Sequence, residues 1–233
     1  MLGTIKMYII AFLAVLVNLH TSCAGPIWPN TFRVEWSEIA YNDTSIFNQN
    51  NGAWYYDWKN NRARFDHLEG QKDMFCPGNE LSPDKPQDDC HLIFPPNNEM
   101  FAHYPNQKTC CRMCAVGYFC SPIKPDWIEN GIYKGTEQIL GRECNVWYED
   151  GSFSGNYWME TADGEPCRFW ETSPLGDSPT SFKNITYDPD TYSTEPIPDS
   201  VFDVPEYCYK DCKDTPFPPP SNDLPWHNRF SIV

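Results

Sequence analysis

Large apolar side chains alternate with polar ones over short stretches of this chain, and turn residues separate the stretches. Phe32 to Tyr41 reads as a strand: Val34, Trp36 and Ala40 share a face, and Glu38 interrupts the alternation. Ala53-Trp54-Tyr55-Tyr56-Asp57-Trp58 and Arg62-Ala63-Arg64-Phe65-Asp66-His67 flank Lys59-Asn60-Asn61, a polar turn that tolerates positive φ. That pattern predicts a hairpin with Trp54, Tyr56 and Trp58 on one face, because strand side chains alternate with period two. His91 to Phe94 and Glu99 to Tyr104 predict a second hairpin across Pro95-Pro96-Asn97-Asn98. Further strands are expected at Ile132 to Lys134, Cys144 to Tyr148, Asn156 to Thr161, Cys167 to Glu171 and Phe182 to Tyr187, with Gly151, Gly155 and Gly164 between them. Such spacing argues for a mainly β, antiparallel domain. Tyr55 beside Tyr56, Met100 beside Phe101 and Tyr157 beside Trp158 put large apolar groups on both faces. Both faces therefore need cover, from a helix, loops, another subunit or a ligand.

The first 24 residues read as a secretory leader, with Lys6 as the basic region, Tyr8 to Val17 as the apolar stretch and Ser22-Cys23-Ala24 as a small-residue cleavage site. The apolar stretch is too short to span a bilayer, and no later stretch reaches that length, so no transmembrane span is expected. Cleavage removes Cys23 from the eleven cysteines and leaves Cys76, Cys90, Cys110, Cys111, Cys114, Cys120, Cys144, Cys167, Cys208 and Cys212. An even count in an oxidising compartment predicts disulfides, whose pairing spacing alone does not give. Two glycosylation sequons, at Asn42 and Asn184, fit the same route, so the expected location is extracellular or the lumen of the secretory pathway.

Composition narrows the partners. Net charge is −15, and no basic stripe exists to displace counterions from a phosphate backbone, so no nucleic-acid partner is expected. Aromatics make up 15% of the chain, which asks for a core or a ligand surface rather than disorder. With 22 prolines, long helices are disfavoured, and Pro216, Pro218, Pro219 and Pro220 make the C-terminal stretch a surface extension.

Candidate chemistry is sparse. The nucleophile elbow, H-E-x-x-H, P-loop and dinucleotide glycine motifs are absent from the sequence. Cys111-Arg112-Met113-Cys114 has redox spacing without a βαβ context, and structural disulfides account for it better. Zinc lacks a second ligand pair, and His91 and His103 on facing strands read as polar strand positions. Calcium is the one metal the loops invite: Asp84, Asp88 and Asp89 in one loop, and Asp188 and Asp190, with Asp199, in another, offer hard oxygen ligands, though without EF-hand spacing. No other cofactor is indicated.

Several short motifs occur in a telling order. Trp54-Tyr55-Tyr56-Asp57 precedes Arg62-Ala63-Arg64; Tyr104 leads to Thr109-Cys110; Cys144-Asn145-Val146-Trp147 follows a glycine. Phe182-Lys183-Asn184-Ile185 then leads to Pro198-Asp199-Ser200-Val201-Phe202-Asp203-Val204-Pro205-Glu206-Tyr207-Cys208. Over roughly residues 32–208 this series resembles the ependymin-related secreted glycoproteins. The resemblance implies a curved antiparallel sheet (a half-barrel), disulfide-stapled and related to bacterial lipoprotein carriers, that encloses an apolar cleft suited to a lipid. It also implies that the protein can form a homodimer and bind calcium. Cys111, Cys114, Cys120 and Cys212 are extra to the family pattern, and the family's N-terminal cysteine has no counterpart once Cys23 is removed.

The chain therefore divides into a leader (1–24), an ependymin-like β domain (25–213) and a Pro-rich tail (214–233). The expected function is non-enzymatic binding of a hydrophobic small molecule or lipid, with Trp54, Tyr56, Trp58, Phe101, Trp147 and Trp158 lining the cleft. A structural or adhesive matrix component is the rival reading, and a secreted hydrolase with an unrecognised site is a more distant one.

Overall fold

The computed structural model describes residues 25–42, 45–68, 89–114, 120–151, 154–173 and 181–212. The leader, the Pro-rich tail, Cys76, Asp84 and Asp88 lie outside them. Among the described residues eleven strands form one curved, open antiparallel sheet: β1 (Thr31–Tyr41), β2 (Ile46–Asp57), β3 (Arg62–His67), β4 (Cys90–Phe94), β5 (Met100–Tyr104), β6 (Thr109–Cys114), β7 (Ile132–Ile139), β8 (Arg142–Asp150), β9 (Gly155–Glu160), β10 (Pro166–Ser173) and β11 (Ser181–Tyr187). Their spatial order is β6-β5-β4-β3-β2-β1-β11-β10-β9-β8-β7. The chain starts at mid-sheet, walks outward to β6, crosses to the far edge at β7, and walks back until β11 closes against β1.

β1 explains the handedness of the two faces. Phe32, Val34, Trp36, Glu38 and Ala40 are all buried, while Arg33, Glu35 and Ser37 are exposed. Glu38 does not interrupt the alternation; it faces inward with the apolar residues at 4% exposure. β2 is twice as long as its apolar half suggested, because the polar run before Gly52 also pairs with β1 and places Asn48 and Asn50 inward. Gly52 is required there. A Cβ would fall 1.6 Å from the Asp66 carbonyl oxygen and 2.7 Å from the Trp36 ring.

Residues 199–212 pack over the outer side of β3, β5 and β6. Phe202 lies under the Arg62 guanidinium at 4.3 Å, and Val204 and Cys208 join Phe101 and Cys110 in a small apolar cluster. Adjacent cysteines on β6 hold this segment from both faces: Cys110 bonds Cys208 outside, and Cys111 bonds Cys212 in the main core. Between those bridges Asp211 pairs in parallel with Arg112, so the segment adds a short stretch of ladder to β6. Cys144–Cys167 ties β8 to β10, and Cys90 and Cys120 are also disulfide-bonded. The pairing of Cys111 with Cys212 removes the redox reading of Cys111 and Cys114. At the opposite edge β7 pairs only with β8 among the described residues, bulges at Gly135 (φ 106°), and leaves Ile132 and Tyr133 exposed.

Candidate functional site

The inner face of the sheet carries one continuous aromatic field. Cross-strand register sets Phe32 opposite Tyr56, Val34 opposite Trp54, and Trp54 opposite Phe65. On the other side of β1, Ile185 faces Phe169, Phe169 faces Trp158, and Trp158 faces Trp147. Rings stack or meet edge to face throughout, as between Trp54 and Phe65 (4.9 Å) and between Phe32 and Tyr56 (4.9 Å).

Two irregular segments lie over this field. The N-terminal arm, residues 25–30, and the crossover, residues 120–131, bond to each other through Gly25 N–H to the Glu129 carbonyl (2.7 Å) and Trp28 N–H to the Pro125 carbonyl (2.9 Å). Tyr56 donates its hydroxyl to the Ile123 carbonyl at 2.8 Å, and burial raises its pKa strongly. Trp28 occupies the centre. Its ring lies 4.6 Å from Trp158, 5.2 Å from Trp54, 5.6 Å from Trp127 and 5.8 Å from Tyr56. The expected cleft is thus filled, among the described residues, by the protein's own indole.

Polar atoms in this interior lack partners. The indole N–H groups of Trp28, Trp54, Trp127 and Trp147, and the Tyr187 hydroxyl, meet no hydrogen-bonding group among the described residues. Tyr187 is 0% exposed and its pKa is raised well above the ordinary value by burial and then by the charge of Glu38. Leaving a buried donor unsatisfied costs about 1–3 kcal/mol.

Toward one end of the same face the aromatics give way to a polar band. Glu38 sits opposite Asn50, Lys183 opposite Glu171, Glu171 opposite Asn156, and Asn156 opposite Glu149. Lys183 pairs with Glu171 at 3.1 Å, and the Asn50 amide donates to Asn48 at 3.0 Å. The inner face is amphiphilic.

Of the expected lining residues, Trp54, Tyr56, Trp147 and Trp158 lie together in this field. Trp58 does not share their strand: β2 ends at Asp57, whose carboxylate caps a short 3-10 turn, and Trp58 reaches the core from that turn. Phe101 faces outward against Cys110 and Cys208, since its neighbours Met100 and Ala102 take the inward positions of β5. Among the described acidic residues, Asp89, Asp188, Asp190 and Asp199 form no shared ligand set. Asp188 caps the 3-10 turn Pro189–Thr191 by accepting from the Asp190 N–H at 3.0 Å, Asp199 pairs with Arg62, and Asp89 is half-buried beside β4. No group of three metal-ligating side chains occurs among the described residues. Asn42 follows β1 and accepts from the Ser45 N–H, and Asn184 lies on the outer face of β11. Trp28, Tyr187 and the polar band were not foreseen. The buried alternation through Glu38 was the available signal for the band.

A second polar cluster lies outside, on β3 to β5. Arg64 clamps Asp66 and contacts His91 Nδ1 at 3.0 Å, and His103 bonds the Tyr207 hydroxyl at 2.8 Å. Burial, then the Arg64 and His103 charges, lower the His91 pKa to about 3. Residues 201–207 are fastened to the sheet by the His103–Tyr207 bond and by the Arg64 bond to the Val201 carbonyl.

No family model and no curated protein matches the chain. Solved structures resemble its fold. They include an uncharacterized conserved protein from Thermus thermophilus (TM-score 0.46, 8% identity, 76% of this chain and 86% of that chain). A LolA-superfamily protein from Nitrosomonas europaea is similar as well (0.40, 9%, 76% and 92%). So is a putative outer membrane lipoprotein-sorting protein domain from Vibrio parahaemolyticus (0.35, 5%, 74% and 89%). The likeness is one of architecture, and no function is transferred by it.

Proposed function

We propose that this is a secreted, disulfide-stapled glycoprotein that binds a hydrophobic, lipid-like ligand on the inner face of its curved sheet, without catalysis. The observation that carries the reading is the aromatic field with unpartnered donors at Trp28, Trp54, Trp127, Trp147 and Tyr187. Ring area supplies the affinity, at about 25 cal/mol per Å² removed from water. The orphan donors that remain once Trp28 moves, on Trp54, Trp127, Trp147 and Tyr187, favour a ligand that brings acceptor oxygens into an apolar setting, such as the ester, amide or carboxyl of an acyl chain. The polar band suits the wetter end of such an amphiphile. Because Trp28 fills the centre, binding requires the N-terminal arm to swing aside, and the ligand then takes the place of the indole. The disulfides fit an oxidising compartment, and the acidic surface would let Ca²⁺ ease association between copies.

The test is native mass spectrometry and lipid extraction on the full chain purified from a secreting host, followed by titration with a fluorescent fatty acid. Co-purified lipid and saturable binding that quenches tryptophan emission are expected, with Trp54→Ala weakening the binding. A folded, empty, self-associating protein that ignores the probe would reject the carrier reading in favour of a matrix component.

A further inference from the structure

The outer face carries a second aromatic array, separate from the interior. Tyr148 on β8 meets Tyr157 on β9 at 4.8 Å, and Tyr157 meets Trp170 on β10 at 4.8 Å. Trp170 stacks on Phe182 of β11 at 6.1 Å, and Phe182 on Tyr41 of β1 at 5.4 Å. The row therefore crosses five neighbouring strands. All five rings are partly exposed, Tyr41 at 37%. Residues 199–212 cover the outer side of β3, β5 and β6, on the other half of the sheet. A row of this kind is an association hazard unless something covers it.

The sequon Asn184-Ile185-Thr186 lies inside that row. Ile185 and Tyr187 are buried on the inner face, so Asn184 points outward. It stands directly opposite Trp170 across β10 and opposite Ile39 across β1, with Phe182 two positions back on its own strand. Thr186 Oγ1 approaches Asn184 Oδ1 at 3.4 Å. Directly opposed residues have Cβ atoms about 5 Å apart, so a sugar on Asn184 starts within one ring's reach of the indole.

We propose that Asn184 carries an N-linked glycan whose first sugars lie flat over Trp170 and its neighbours, making the outer aromatic row a carbohydrate platform filled in cis. The inference rests on the secreted reading above. In the modifying step Asn184 Nδ2 loses a proton and bonds the anomeric carbon of a lipid-pyrophosphate-linked oligosaccharide, and the lipid pyrophosphate leaves. A pyranose ring then presents its axial C–H groups to the electron-rich faces of the rings, while its hydroxyls meet water. The glycan removes the patch from solvent and adds bulk that keeps copies apart.

The experiment uses the full chain secreted from a glycosylating host. Glycopeptide mass spectrometry reads occupancy at Asn184, and NMR of the isotope-labelled glycan reads its proton shifts and contacts to aromatic protons. Occupancy, upfield-shifted N-acetylglucosamine protons and contacts to Trp170 are expected. Trp170→Ala should keep the occupancy and lose the shifts; Tyr157→Ala serves if that variant fails to fold. Thr186→Val, which lacks the sequon, should bind an apolar dye about twofold more and self-associate. A secreted protein with bare Asn184, or an occupied Asn184 whose sugar protons show free-solution shifts, overturns the inference and leaves the lipid reading standing. A chain that never enters the secretory pathway overturns both.

Discussion

Trp28 lies 4.6 Å from Trp158, ring centroid to ring centroid, joining the irregular arm before the first strand to a strand on the far side of the sheet. Trp28 also touches Phe32, Trp54, Tyr56 and Trp127, so one side chain links both halves of the sheet and the crossover. Trp28→Ala should therefore lose about 3–5 kcal/mol in chemical denaturation, the usual range for a buried tryptophan. With saturating fatty acid the deficit should shrink, since a ligand that displaces the indole makes its deletion irrelevant in the bound state. An undiminished deficit, with ligand shown to be bound, would make Trp28 plain core.

Reactive thiols should be absent at the eight cysteines that the structure places in disulfides. Labelling in denaturant without reductant should modify none of Cys90, Cys110, Cys111, Cys120, Cys144, Cys167, Cys208 and Cys212. Removing the Cys110–Cys208 bridge by a double alanine substitution should cost about 2–5 kcal/mol, measured by denaturant titration.

Stability should fall on both sides of a mildly acidic optimum, for opposite reasons. His91 is held neutral in the fold with a pKa of about 3, against about 6.5 when unfolded; burial leads, Arg64, His103 and His67 add to it, and Asp89 opposes. Its contribution is complete above pH 6.5 and is lost as pH falls toward 3. Glu160 is pushed up to about 7 by burial, partly offset by the Trp158 indole N–H. Its contribution is complete below pH 4.5 and is lost as pH rises through 7. His91→Gln should flatten the acid limb and Glu160→Gln the neutral limb, each by a few kcal/mol at about 1.4 kcal/mol per pKa unit. Urea midpoints between pH 3 and 8 measure both; unchanged slopes would contradict the assignment.

Calcium should act as a screening cation. Asp188 is engaged in a helix cap and Asp199 in an ion pair, which leaves scattered surface carboxylates on a chain of net charge −15. Ca²⁺ should raise the melting temperature gradually and high NaCl should imitate it, because exposed charges are screened over about 8–10 Å. A single saturable calorimetric event in 0.15 M NaCl would refute this and direct mutagenesis to Asp84, Asp88 and Asp89.

Strand content was readable because period-two alternation is local, and every predicted strand lies within an observed one or within a residue of it. Legibility failed where a tertiary contact decides. Asn48 and Asn50 fall outside the strands that alternation predicts, yet β1 supplies their ladder partners, with Glu38 opposite Asn50. Met100 and Phe101 are both large and apolar, so the pattern could not say which faces inward; Cys208 decides it by arriving outside. Trp28 sits in a Pro-flanked arm without periodicity, and only the crossover above the sheet gives it a place. Pairing of Cys110 and Cys111 with Cys208 and Cys212 likewise depends on which edge the C-terminal segment meets.

The strapping of β6 limits how copies of this protein could polymerise. An open sheet ordinarily offers two edges, and a filament needs both, because each added copy must expose a fresh edge for the next. Here Arg112 already exchanges backbone bonds with Lys210 and Cys212, which interrupts the β6 edge at its middle and leaves β7 as the uninterrupted edge among the described residues. A molecule with a single uninterrupted edge is a poor link in a filament. Edge pairing through β7 would consume that edge in both copies and halt at a two-fold pair, so the protein can stay concentrated while retaining a long exposed strand.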